Sequence, residues 1–169
     1  MLKLPMKKFL KEGIITLILA FVLITVIGYF RKPELSFTTL PPLTIPMVNG
    51  EEFQTSAYHD KPLIIHFWAT WCPTCKLEIS NFNTIAKEYN LITIAVQSGS
   101  NEALKTFMKE RELDFPLIND RNGVLAKKFA ISAYPTTFIF DKKAEVAFAE
   151  VGYTSTWGLK LRMWWLGLK

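Results

Sequence analysis

Two cysteines three residues apart, placed just after a run of strand-forming residues, constrain this chain more than any other feature. Leu63 to Phe67 is rich in β-branched and aromatic types and reads as a buried strand. A short aromatic loop leads from it into Cys72-Pro73-Thr74-Cys75. Pro73 sits where a helix would begin, because its fixed φ suits the first helical position and its missing N–H is not needed there. Cys72 then stands at the helix N-terminus. Unpaired N–H groups and the helix dipole favour its thiolate there and lower its pKa from about 8.5. Cys75 falls one turn later, turned further inward but within disulfide reach. One exposed, activated thiol and one resolving thiol make a site for dithiol–disulfide exchange.

Other uses of the pair fit less well. A static disulfide closing so small a loop removes little entropy from the unfolded chain. A zinc site would need both His59 and His66, and His66 lies inside the strand. Haem attachment needs a histidine directly after the second cysteine, where Lys76 stands.

The stretch Phe67-Trp68-Ala69-Thr70-Trp71-Cys72-Pro73-Thr74-Cys75-Lys76 resembles the active-site segment of the thioredoxin superfamily. Within that superfamily it is similar to the membrane-anchored TlpA/ResA-like branch of bacterial thiol–disulfide oxidoreductases. The tail Gly152-Tyr153-Thr154-Ser155-Thr156-Trp157-Gly158-Leu159 resembles the ScsD-like proteins linked to suppression of copper sensitivity. The superfamily resemblance covers roughly residues 40 to 169. It implies a thioredoxin fold, a central mixed β-sheet flanked by helices, with an N-terminal β-hairpin and one transmembrane helix ahead of it.

Gly13 to Phe30 is eighteen residues without a charge. As a helix it covers roughly 27 Å, close to the hydrocarbon thickness of a bilayer. Tyr29-Phe30-Arg31-Lys32 makes a poor signal-peptidase site, so the expectation is an uncleaved anchor over residues 13–30. Lys3, Lys7, Lys8 and Lys11 precede the segment, against Arg31 and Lys32 after it, which keeps residues 1–12 cytoplasmic and the rest periplasmic. The same four lysines account for most of the formal charge of +5, so the remainder is near neutral and carries no footprint for nucleic acid. Two cysteines and no others argue against a disulfide scaffold and fit an export compartment in which a redox pair works on other proteins.

Prolines 33, 41, 42 and 46 make residues 31–46 read as an extended linker into a thioredoxin-like domain over 47–169. Asn49-Gly50, between apolar residues, is a hairpin signal. The helix opened by Pro73 carries Ile79, Phe82, Ala86 and Tyr89 at helical spacing and is expected to stop at a left-handed Asn90. Leu91 to Val96 and Phe115 to Ile118 read as strands, with a helix capped by Ser100 between them and a short one over Val124 to Phe129. Alternating strands and helices imply parallel pairing. Thr136 to Phe140 and Glu145 to Val151 then form an antiparallel hairpin at one edge. In the last helix Leu159, Met163 and Leu166 share a face, and Trp164 and Trp165 are expected to pack, the alternative being contact with a lipid interface.

Around the cysteines, the resemblance implies that Pro135 is cis and faces the pair. The backbone at Tyr134 is then free to add an extended substrate strand, with Trp71 lining the same groove. Glu78, three after Cys75, lies on the same side of the helix, and the resemblance makes it a residue that tunes the thiols, the alternative being a solvated surface glutamate. His66 occupies the strand position where thioredoxins bury a proton-moving Asp; it is either that or a satisfied core histidine. Two departures stand out. The intervening dipeptide is Pro-Thr, not Gly-Pro, and Ser80 replaces a helix-kinking Pro.

These readings describe a periplasmic thiol–disulfide oxidoreductase tethered to the inner membrane, acting on disulfide-containing protein substrates with net reduction. It needs no metal or organic cofactor. The resemblance implies a DsbD-like transmembrane electron donor. The alternatives are a dithiol oxidase and a non-catalytic tethered binding module whose disulfide stays closed.

Overall fold

A computed structural model describes residues 37–167 together with 12–16, 18, 19 and 22. The chain divides into two compact units, Met1–Lys32 and Pro33–Lys169. In the first, the described residues are helical. Among the described residues no helix is long and apolar enough to cross a membrane, and most of the expected cytoplasmic segment 1–12 and anchor 13–30 lies outside them.

The second unit is built on a five-stranded sheet ordered β5-β4-β3-β6-β7. Its strands are β3 (Leu63–Trp68), β4 (Leu91–Val96), β5 (Leu117–Asp120), β6 (Thr136–Phe140) and β7 (Val146–Val151). β3, β4 and β5 pair in parallel, and β6 and β7 pair antiparallel on the other side of β3. The helices are α1 (Pro73–Ile85), α2 (Asn101–Glu110), α3 (Val124–Lys128) and α4 (Thr156–Gly167). A separate hairpin of β1 (Thr44–Pro46) and β2 (Glu52–Gln54) turns at Gly50, whose φ of +92° is a conformation that glycine adopts without steric cost.

Period-two alternation along β3 sends Leu63, Ile65 and Phe67 to one side of the sheet and Ile64, His66 and Trp68 to the other. All six are buried because both faces are covered. The first side packs Ile92, Ile94, Phe129, Phe138 and Phe140. The second packs Ile79, Phe82 and Ile85 of α1 with Leu159, Met163 and Leu166 of α4. His66 is thus a polar ring on the strand face that α1 covers.

Several elements differ from the expectations. Residues 37–46, read as linker, are extended but belong to the domain. Thr39 bridges Glu145, and Phe37 packs edge-on against Phe129 and Phe138. The third parallel strand begins at Leu117 and runs to Asp120, because Pro116 donates no N–H. Its carbonyl instead accepts from Thr93 N. α1 ends as an α-helix at Ile85 and unwinds through turns to Tyr89. Asn90 is not left-handed; its side chain donates to the Pro62 carbonyl at 3.1 Å. Trp164 and Trp165 are more than half exposed, against the expectation of packing, since the stripe Leu159–Met163–Leu166 takes the buried side of α4.

Candidate active site

Cys72 caps α1. Its backbone is extended, and its Sγ accepts from Cys75 N–H at 3.2 Å, with Pro73 at the first helical position. Sequence dictates this geometry: a proline there forgoes only an N–H that has no intrahelical partner, and the residue before it is held extended. Cys72 and Cys75 are joined in a disulfide with Cα atoms 5.3 Å apart. Cys72 keeps only a sliver of exposed surface and Cys75 none, so the outer cysteine is more covered than expected, although the order of accessibility holds.

The cover comes from two loops. The Tyr134–Pro135 peptide is cis, and the Tyr134 carbonyl oxygen lies 3.7 Å from Cys72 Sγ. Trp71 is half exposed, donates its indole N–H to the Gln97 carbonyl at 3.2 Å, and meets Tyr134 edge-on with centroids 5.5 Å apart. Burial first, and the Asp120 carboxylate second, hold the Tyr134 hydroxyl above its ordinary pKa. Trp71, Tyr134 and Pro135 therefore do converge on Cys72.

Behind the disulfide lie Glu78 and His66, both fully buried. Glu78 Oε2 accepts from the Thr154 N–H at 2.6 Å. Its Oε1 faces His66 Nε2 at 3.6 Å, and neither of these two atoms has a hydrogen-bond partner among the described residues. His66 Nδ1 lies 3.0 Å from Thr137 Oγ1, and the ring stacks on Phe82 with centroids 3.6 Å apart. Burial pushes the Glu78 carboxyl up to about 8 against the opposing Thr154 N–H, and burial lowers the His66 imidazole to about 3. Both directions have one cause: neither charged form is solvated there. Burial thus favours the neutral form of both partners near neutral pH. Glu78 is accordingly not a solvated surface residue, and His66 is only half satisfied.

Sequence reasoning did not find Phe82 as the ring stacked on His66, nor Thr137 and the Thr154 N–H as anchors of the pair. Thr137 was findable in principle. It lies in an expected strand, and its pairing opposite His66 needed only the register of β3 against β6. Among the described residues no cluster of metal-ligating side chains occurs.

A thioredoxin fold with a Cys-x-x-Cys disulfide at a helix start and a cis-proline loop against the outer sulfur defines a thioredoxin-like thiol–disulfide oxidoreductase. The chain belongs to the AhpC/TSA family, whose model matches residues 38–149. It is 30% identical over 160 residues to a thioredoxin-like protein of Haemophilus influenzae, covering 93% of this chain and 94% of that one. It is also 29% identical over 125 residues to the thiol-disulfide oxidoreductase ResA of Bacillus thuringiensis, covering 70% and 72% respectively. Among solved structures, a secreted thiol-disulfide isomerase of Corynebacterium glutamicum superposes with a TM-score of 0.70 at 21% identity, over 77% of this chain and 86% of that one. The similarity to ResA-named relatives supports the TlpA/ResA-like branch.

Proposed function

We propose that this chain is a membrane-tethered, extracytoplasmic reductase of protein disulfides, held at the bacterial inner membrane by residues 13–30 and close to the ScsD-like proteins. The observation that carries the redox part is the Cys72 sulfur, set at a helix start, accepting a backbone N–H and lying against the Tyr134 carbonyl. In the reduced protein, Cys72 thiolate attacks one sulfur of a substrate disulfide. The other substrate sulfur leaves and takes a proton, and a mixed disulfide forms. Cys75 thiolate then attacks Cys72 Sγ, releases the second substrate thiol and regenerates the Cys72–Cys75 disulfide. The substrate gains two electrons and two protons, so each cycle needs a dithiol donor, for which a DsbD-like membrane reductant fits.

On this reading an extended substrate segment pairs with the backbone at Tyr134 and Pro135 while Trp71 packs against its side chains. Glu78 and His66 hold the proton that Cys75 exchanges, and neither touches substrate. The extracytoplasmic assignment is supported by the uncharged run 13–30 and the lysine bias ahead of it.

Trapping in cells tests the whole scheme. Cys75→Ser should accumulate mixed disulfides that dithiothreitol releases, and Cys72→Ser should trap nothing. Trapping by Cys72→Ser in place of Cys75→Ser would reverse the roles. No acceleration of insulin reduction by the wild-type chain would leave a binding module with a static disulfide.

A further inference from the structure

α4 carries two apolar stripes, and the domain covers only one. Leu159, Met163 and Leu166 are buried in the core shared with α1. At about 100° per residue, Trp157, Leu161 and Trp164 fall together on the opposite side. They are 82%, 65% and 56% exposed. A helix apolar on all sides is normally covered on all sides. The cations between the stripes do not make this a basic patch, since Lys160 binds Glu88 at 2.6 Å and Arg162 pairs with Glu150.

The position of α4 says what covers that face. Trp165 and Leu166, at the C-terminal end of the helix, share a pocket wall with Asp141, Lys142 and Lys143 of the turn after β6. The chain enters the domain at the same turn: Leu40 N–H donates to the Ala144 carbonyl at 2.8 Å and Val146 N–H to the Thr38 carbonyl at 2.9 Å. The uncharged run ends at Phe30, seven residues before Phe37, and seven residues of extended chain span at most about 25 Å. A bilayer holding residues 13–30 is therefore within short reach of this end of α4. The sheet register places the chemistry at the opposite end of the sheet from the entry turn, the end where α4 begins: Val151 pairs with Thr136, and Thr154 donates its N–H to Glu78. Leu63 pairs with Phe140, just before the entry turn, and Phe67 pairs with Thr136, just after cis-Pro135. The two ends of β3 are about 20 Å apart.

We infer that the Trp157–Leu161–Trp164 face of α4 docks into the interfacial layer of the bilayer, with the helix lying along the surface. The inference rests on the proposed anchor for its geometry. Tryptophan favours headgroup depth, and such binding scales with the apolar area buried. Because Lys160 and Arg162 are already paired, docking is apolar in origin and does not need anionic lipid.

The full chain in nanodiscs of phosphatidylcholine, with and without bromine on the acyl carbons nearest the headgroup, provides the test. Bromine should quench the tryptophan emission of the wild-type chain, equally at low and at about 1 M salt. Leu161→Glu keeps every tryptophan and changes an exposed position, and it should restore the unquenched emission. Absence of quenching in the wild-type chain, or equal quenching in Leu161→Glu, overturns the inference. So does shielding of the tryptophans that ignores bromine and appears only when two or more chains share a disc, which would mean a second copy covers the face. Extraction with alkaline carbonate separates the two readings. A chain that resists carbonate but is not quenched keeps its anchor and loses the docking face; one that is stripped but quenched docks without the anchor.

Discussion

Replacing Glu78 by Gln tests the buried acid–imidazole pair through the pH dependence of stability. Glu78 is pushed up to about 8 from 4.5, so the folded chain keeps a proton that the unfolded chain releases, and stability falls as pH rises through that window. His66 is lowered to about 3 from 6.5, so the unfolded chain holds a proton that the folded one lacks, and stability falls as pH drops from 6.5 to 3. Between the ordinary glutamate and histidine values the two slopes cancel and the profile is flat. Above the histidine value only the Glu78 contribution remains. Its slope is about 1.4 kcal/mol per pH unit. Over the roughly one and a half units up to about 8, allowing for relaxation and water entry, it removes about 1 to 2 kcal/mol.

The Glu78→Gln side chain would keep the Thr154 N–H on its oxygen and present an amide N–H to His66 Nε2, so the fold should survive. The variant should be flat above pH 6.5 and lose stability below it at the full histidine slope, because nothing then offsets His66. Urea unfolding of the unit Pro33–Lys169 at half-unit pH steps, oxidised throughout, reads both profiles. Curves for wild type and Glu78→Gln that run parallel from pH 4 to 8 would refute the reasoning, since Glu78 would then titrate at its ordinary value.

Phe82→Ala opens a cavity where a fully buried ring stacks on His66, and should cost about 3 to 5 kcal/mol in urea unfolding. Asp120→Ala removes the carboxylate that accepts the buried Ala126 N–H at 2.8 Å, and a loss of about 1 to 3 kcal/mol is expected; a neutral result would mean water replaces it. Trp71→Ala should raise KM for a protein disulfide and leave the alkylation rate of reduced Cys72 unchanged, because the ring lines the groove without contributing the N–H that Cys72 accepts. His66→Ala, with both cysteines present, should slow release of the mixed disulfide near neutral pH more than it slows Cys72 alkylation. Equal slowing of both would reduce His66 to a core residue.

Local chemistry explains what could be read from the sequence. Pro73 after Cys72 fixes a helix start by sterics alone, and Asn49-Gly50 fixes a turn, so both came through intact. The hairpin of β6 and β7 likewise follows from two apolar runs around Asp141, whose carboxylate accepts the N–H groups of Lys143 and Glu145. The parts that did not come through depend on register or on long-range cover. Whether Glu78 faces solvent or His66 depends on how far α1 is rotated over β3, which no residue type near Glu78 declares. The burial of Cys72 depends on a loop sixty-two residues away. The exposure of Trp164 is equally non-local: the spacing of Leu159, Met163 and Leu166 marks the buried face of α4, but whether the opposite face is covered as well depends on packing.

In the proposed scheme Cys75 resolves the mixed disulfide, and the balance of that exchange bears on why a buried acid sits one turn after it. On that scheme each half-cycle moves a proton at Cys75, which is fully buried. A carboxylate held ionised in that position would repel the developing thiolate and would itself be unsolvated. Glu78 kept protonated by burial carries no such charge. The anchors are rigid: Glu78 stands on α1 and is tied to the Thr154 backbone, and His66 stands in the central strand between Thr137 and Phe82. Trp71 and Tyr134, which the proposed function places against substrate, stand instead on loops. On the proposed reading, a rigid acid–imidazole pair behind the disulfide and loop-borne contacts in front of it suit exchange with protein disulfides.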